Sequence, residues 1–153
     1  MTNIYGHMGI WKIETYRNKK LIKTEEIRNR IMNAALDELL KPLQGLATDI
    51  EVKYIALGTG DTPITNTQTQ LQTEIFRTTA TTTDKTDVGE LTNVFFVLDS
   101  EAVGHIKEIG LFGCTGATST ENTGLLISRI LWDKVKVLGE EIRFTRIDKI
   151  TRS

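Results

Sequence analysis

Only one stretch of the chain has helical periodicity; the rest reads as strand or loop. Met32, Leu36, Leu39, Leu40 and Leu43 fall at i, i+4, i+7, i+8 and i+11, an apolar stripe on a helix over about 30–41. Arg28, Asn33, Asp37 and Lys41 occupy the wetter side. Asn29 is the expected N-cap, Pro42 disfavours helical geometry at Lys41, and Gly45 completes the stop. A lone amphipathic helix must bury its stripe on something, and this chain offers only a sheet. The predicted fold class is therefore mainly β: a single β-sandwich-like domain over 1–153. It has an N-terminal hairpin at 9–27, one amphipathic helix and a sheet over 50–150.

The strands follow from period-two patterning. Trp11 and Ile13 alternate with Lys12 and Glu14, and a second run reaches from Leu21 to Ile27. Arg17-Asn-Lys-Lys20 joins them, with Asn18 best suited to positive φ. Ile50 to Leu57 is the next strand, with Val52, Tyr54 and Ala56 on one face. Val94-Phe-Phe-Val-Leu98 is apolar on both sides and predicts a central strand covered twice. Ile106 to Phe112 follows, with Gly110 marking a bulge or a close approach. Leu125 to Trp132 and Val135 to Ile150 complete the sheet, broken at Leu138-Gly-Glu140, with Ile142 and Phe144 on one face.

Between Thr59 and Thr86 threonine is dense and apolar residues are few. Thr78, Thr79, Thr81, Thr82 and Thr83 have high strand propensity and almost nothing to bury. This segment is expected to be an exposed strand or arm, or a segment covered by another subunit; disorder over 81–89 is the alternative. The long small-residue loop 113–124 belongs on a surface.

Charge and composition exclude several classes. Lys and Arg total 19 against 20 Asp and Glu, so no basic excess exists to track phosphates. Neither a nucleic acid nor a membrane is an expected partner, and no apolar run is long enough to span a bilayer. Residues 1–5 lack the charged and apolar regions of a signal peptide. Cys114 is the single cysteine, which rules out an intramolecular disulfide and fits folding in a reducing cytoplasm.

Candidate chemistry is sparse. Gly58-Thr-Gly60 ends a strand, but Pro63 and polar residues follow instead of a helix, so it is not a nucleotide cradle. Glu74, Arg77 and Glu108 form a possible carboxylate–guanidinium cluster. A catalytic assignment makes Glu74 and Glu108 an acid/base pair of the glycosidase kind. The structural assignment, in which Arg77 pairs with a carboxylate and fixes strand register, is favoured. Asp61, Asp84 and Asp87 match no metal-loop pattern, and His105 stands alone at a strand start. No catalytic residue, cofactor or metal is expected. Trp11 and Trp132 are the sugar-stacking candidates if they are exposed.

Tyr54-Ile-Ala-Leu-Gly-Thr-Gly60, a polar loop, Leu71-x-x-Glu74-x-x-Arg77, and Glu108-Ile-Gly-Leu-Phe112 together resemble a tailed-phage structural family. Its members are virion proteins of the tail-collar-fibre and baseplate-fibre adaptor type. Asn33-Ala-Ala-Leu-Asp-Glu-Leu39 is similar to the short helix such proteins place before the strand ending in Gly-x-Gly. The resemblance covers about 30–112 and implies a non-enzymatic β-sandwich-like component of a phage tail, collar or baseplate. It implies partners too: the chain itself, as a trimer or hexameric ring, and other virion proteins, after synthesis in the host cytoplasm. Gly58, Gly60 and Gly110 are then structural turn positions and Glu74, Arg77 and Glu108 ion-pair positions; Thr78, Thr79, Thr81, Thr82 and Thr83, with strand propensity and little to bury, are the assembly-contact candidates. The hairpin over 9–27 is less expected for tail-collar fibres. A head decoration or neck protein is the alternative within the virion, and a small carbohydrate-binding β domain the alternative outside it.

Overall fold

The computed structural model describes residues 6–152. The signal-peptide expectation concerns residues 1–5 and lies outside them. Ten strands build two five-stranded antiparallel sheets packed face to face. They are β1 (Gly6–Arg17), β2 (Lys20–Arg28), β3 (Arg30–Ile31), β4 (Val52–Gly58), β5 (Glu74–Thr79), β6 (Thr82–Asp87), β7 (Glu90–Val97), β8 (Gly104–Gly113), β9 (Leu125–Lys136) and β10 (Glu140–Thr151). One sheet runs β2-β1-β10-β7-β6 and the other β3-β9-β8-β4-β5. The predicted sandwich, its hairpin and its single helix are all present.

The β1–β2 turn places both Asn18 and Lys19 at positive φ, 50° and 63°. That is the mirror-image turn whose twist suits a two-residue hairpin. The core lies between the sheets: Trp11, Ile13, Phe95, Val97, Ile142 and Phe144 from one, Ile55, Leu57, Ile109, Leu111 and Trp132 from the other. Trp132 meets Phe144 edge-on at 5.6 Å between centroids. Both indoles are buried, so neither offers the exposed platform that sugar stacking needs.

The helix departs from expectation. Arg30 and Ile31 pair with Arg129 and Ser128 as β3, so α1 begins only at Asn33 and runs to Leu40. Met32, and not Asn29, is the N-cap, without a side-chain cap bond. A 3₁₀ turn, Lys41–Gln44, follows, and Gly45 ends it at φ 74°. Only Met32 and Ala35 are buried and Leu39 is half-buried, whereas Leu36, Leu40 and Leu43 are exposed. The expected stripe therefore packs on the sheet only at Met32 and in part at Leu39, and its other leucines stay outside. The outer face it would have covered is already occupied by the chain around Leu71 and Ile64, which joins Met32, Ala56, Phe112 and Leu126 in a second small core.

β7 also differs. Asn93, Phe95 and Val97 face the core; on the other side Val94 is buried but Phe96 and Leu98 are exposed, so the strand is covered twice only around Val94. Phe96 instead carries the Arg143 guanidinium 5.9 Å above its ring. Val52 packs against the main core, whereas Tyr54 and Ala56 face the second one. An irregularity between Val52 and Tyr54 breaks their common face. Residues 82–87, within the segment whose alternative was disorder, form β6.

Candidate assembly surface

The residues singled out by the family resemblance meet on the outer face of the β4–β8–β9 region. Gly58 faces Glu74 of β5 on one side and Glu108 of β8 on the other. Glu108 is fully buried. Its carboxylate accepts from the backbone N–H of Gly60 (3.0 Å), Gln72 (3.1 Å) and Thr73 (2.9 Å), and from Arg129 Nε at 2.7 Å. One side chain thus pins both ends of the polar loop that follows β4. Arg129, also fully buried, donates onward to the Thr62 carbonyl and Gln68 Oε1. A buried carboxylate that accepts hydrogen bonds on both oxygens, one of them from a buried guanidinium, is a structural anchor.

The glycines make this possible by their size. A Cβ on Gly58 would lie 2.4 Å from Glu108 Oε1, and one on Gly60 would lie 2.3 Å from Gln72 Cβ. Neither glycine has positive φ; both are there because the carboxylate and the returning chain come too close for any side chain. Gly110 serves the same purpose for Leu71, whose Cδ2 would be 2.7 Å from an added Cβ. It is a close approach and not a bulge, since the β8–β9 irregularities fall elsewhere.

The second pair is Glu74 with Arg77. Arg77 donates Nε to Glu74 Oε2 at 2.9 Å and Nη2 to Oε1 at 2.8 Å, a two-pronged bond with both side chains buried. Its Nη1 reaches the carbonyls of Thr118 (2.9 Å) and Thr123 (3.1 Å), tying β5 to the 113–124 loop. The guanidinium lies 4.5 Å from the Phe112 ring centroid and 5.2 Å from that of Tyr54. Glu108 therefore does not belong to the Arg77 cluster, as the sequence suggested; it pairs with Arg129. Sequence reasoning missed Arg129 altogether. The available signal was a lone cation inside the apolar run 125–132, a setting that arginine seldom enters unpaired.

Each carboxylate is consumed by its own guanidinium, so Glu74 and Glu108 are not disposed as an acid/base pair. Cys114 sits at φ 67° in a buried turn, and burial, reinforced by nearby Asp49, pushes its thiol up to about 11. A protonated thiol is a poor nucleophile. His105 pairs with Asp133 at 2.6 Å on the surface. Asp61 pairs with Lys107, and Asp87 accepts from the Val88 N–H. Among the described residues, no group of three or more His, Cys, Asp or Glu is placed to hold a metal ion.

The threonine segment forms two edges at once. β5 is the edge strand of one sheet and β6 of the other, and the chain crosses between them at Ala80 and Thr81. Thr79, Thr81, Thr82 and Thr83 are exposed, Thr78 is half-buried, and every residue of β6 is exposed. Thr83 Oγ1 donates to Asn93 Oδ1 at 2.7 Å, and the Thr81 N–H donates to the Val94 carbonyl at 2.7 Å. One flank of the sandwich is thus a pair of open strand edges linked by a continuous threonine-rich chain. Comparison with family models, curated proteins and solved structures returned no match.

Proposed function

We propose that this chain is a non-enzymatic structural component of a phage tail, collar or baseplate that works by fitting against neighbouring protein. The observation carrying it is the exposed double edge of β5 and β6, flanked by loops fixed rigidly by buried ion pairs. Open strand edges are templates for pairing with another chain, and monomers ordinarily blunt them. Here β5 ends in Thr78 and Thr79, β6 sets three threonines beside Asp84, Lys85 and Asp87, and both lead into loops whose shape Glu108–Arg129 and Glu74–Arg77 hold. Spending two buried ion pairs on surface loops suits a protein whose work is shape. The motif order Gly58-x-Gly60, Glu74, Arg77 and Glu108 adds its likeness to tail-collar and baseplate-fibre adaptors.

In this role the chain forms a closed trimer or hexameric ring, with 59–86 and 113–124 at subunit contacts, alongside other virion proteins. A neck or head-surface position uses the same edges. A reconstruction of the assembled particle tests the proposal: continuous density is expected between β6 and a neighbouring chain. If 59–86 and 113–124 both face solvent with no neighbour, the proposal fails.

A further inference from the structure

A surface adjoining the β6 edge carries an inference that does not depend on the virion role. At one end of the sandwich, the start of β4, the β6–β7 turn and the end of β10 leave the sheets apart. A groove of about 340 Å³ opens there, lined chiefly by Leu39, Ile50, Val52, Leu91, Ile127 and Ile150. Beside it, the exposed leucines of the helical segment stand proud: Leu36, Leu40, Leu43 and Leu46 are 41–76% exposed. Val88, in the β6–β7 turn on the rim, is 81% exposed.

The geometry points to a second copy of this chain as the occupant, docked by a two-fold contact in which the leucine ridge of each copy enters the groove of the other. Three observations carry this. The ridge and groove are contiguous in the chain: Leu39 of α1 lines the groove, while Leu40 at the end of α1 and Leu43 in the following 3₁₀ turn form the ridge. A convex and a concave apolar surface side by side are self-complementary, as an isologous contact requires. The ridge and rim expose five large apolar side chains at 41–81%, the kind of apolar patch that marks an interaction site. Their charges also match. The groove's carboxylates, Glu51, Glu90 and Asp148, are paired within the chain with Lys53, Lys149 and Arg146, whereas Lys85, which also lines it, and Asp37, which flanks the ridge, are exposed with no ion-pair partner among the described residues. A two-fold exchange brings each toward the other's copy.

Sedimentation of the intact chain between about 1 µM and 500 µM tests this, a span that resolves contacts of moderate affinity. The expected result is a monomer–dimer equilibrium that Leu43→Glu weakens by about tenfold or more, with unchanged circular dichroism, since Leu43 is 76% exposed. Mixing the single variants Leu43→Cys and Ile150→Cys under mild oxidation should give a covalent heterodimer linked between those two peptides; buried Cys114 does not compete. A monomer throughout the range overturns the inference. So does association that Leu43→Glu leaves intact, which would assign it to the β5–β6 edges. A dimer without the cross-linked peptide pair overturns the ridge-in-groove seating.

Discussion

Glu108 and Arg129 lie 2.7 Å apart on neighbouring strands, both without solvent exposure, and together they close the loop between β4 and β5. Removing one partner leaves a buried charge uncompensated. Arg129→Ala is expected to cost about 3–5 kcal/mol in denaturant unfolding. The double variant Glu108→Leu/Arg129→Met should recover part of that loss, because it buries no orphan charge. A single-variant cost below about 1 kcal/mol would show that the pair anchors nothing.

Gly60→Ala tests the same loop by size alone. The added methyl cannot coexist with Gln72 Cβ and Glu108 Oε1 in their present places. Overpacking of this kind typically costs about 1–3 kcal/mol. The expected signature is faster amide hydrogen exchange confined to 59–73, read against an unchanged β1–β2 hairpin.

The helix gives a contrast between neighbours on one stripe. Met32→Ala should cost about 2–5 kcal/mol, the range for emptying a fully buried site. Leu43→Ala should fall within about 0.5 kcal/mol for the isolated chain at dilution where it is monomeric. Equal costs at the two positions would mean the stripe packs as a unit, contrary to the exposure of Leu43.

Glu140 sets an acid dependence. Burial works to raise its carboxyl pKa, but the Val137 N–H, Lys134 and Arg17 outweigh burial and hold it below the usual carboxylate range. The folded chain then gives up this proton more readily than the unfolded chain. The resulting stability is complete above the ordinary glutamate value, near 4.3, and is lost as pH falls through the lower folded value. Glu140→Gln should lower stability at pH 7 and flatten the acid limb of the stability–pH curve. An unchanged acid limb would mean Glu140 is not the group responsible.

Cys114 should resist alkylation in the native state at pH 8, because its thiol titrates near 11. Reaction at the rate of a free thiol without denaturant would contradict its buried setting.

Most of the strands were legible because period-two patterning and turn residues are local signals. The hairpin turn could be placed on Asn18, and the break before β10 on Gly139. Glu74–Arg77 was readable too, being three residues apart. Glu108–Arg129 was not, since 21 residues separate the partners and the strand pairing that unites them is tertiary. The leucine stripe failed for a related reason. Periodicity reveals that a helix has an apolar side, but not whether another segment has already covered the sheet beneath it. Here Leu71 had, through the space left by Gly110.

The pairing of β1 with β10 has a consequence for how the fold is reached. Arg17 and Glu140, bonded at 3.2 Å, are separated by 123 positions along the chain. The β1–β2 hairpin can close in microseconds, yet its inner side, with Trp11 and Ile13, has no adjacent sheet partner until the final strand arrives. Contacts of such long sequence separation put this domain among slow folders. During synthesis the hairpin emerges before the strands that complete its sheet and waits with its Trp11 face uncovered, so the waiting nascent chain is the species most exposed to premature association.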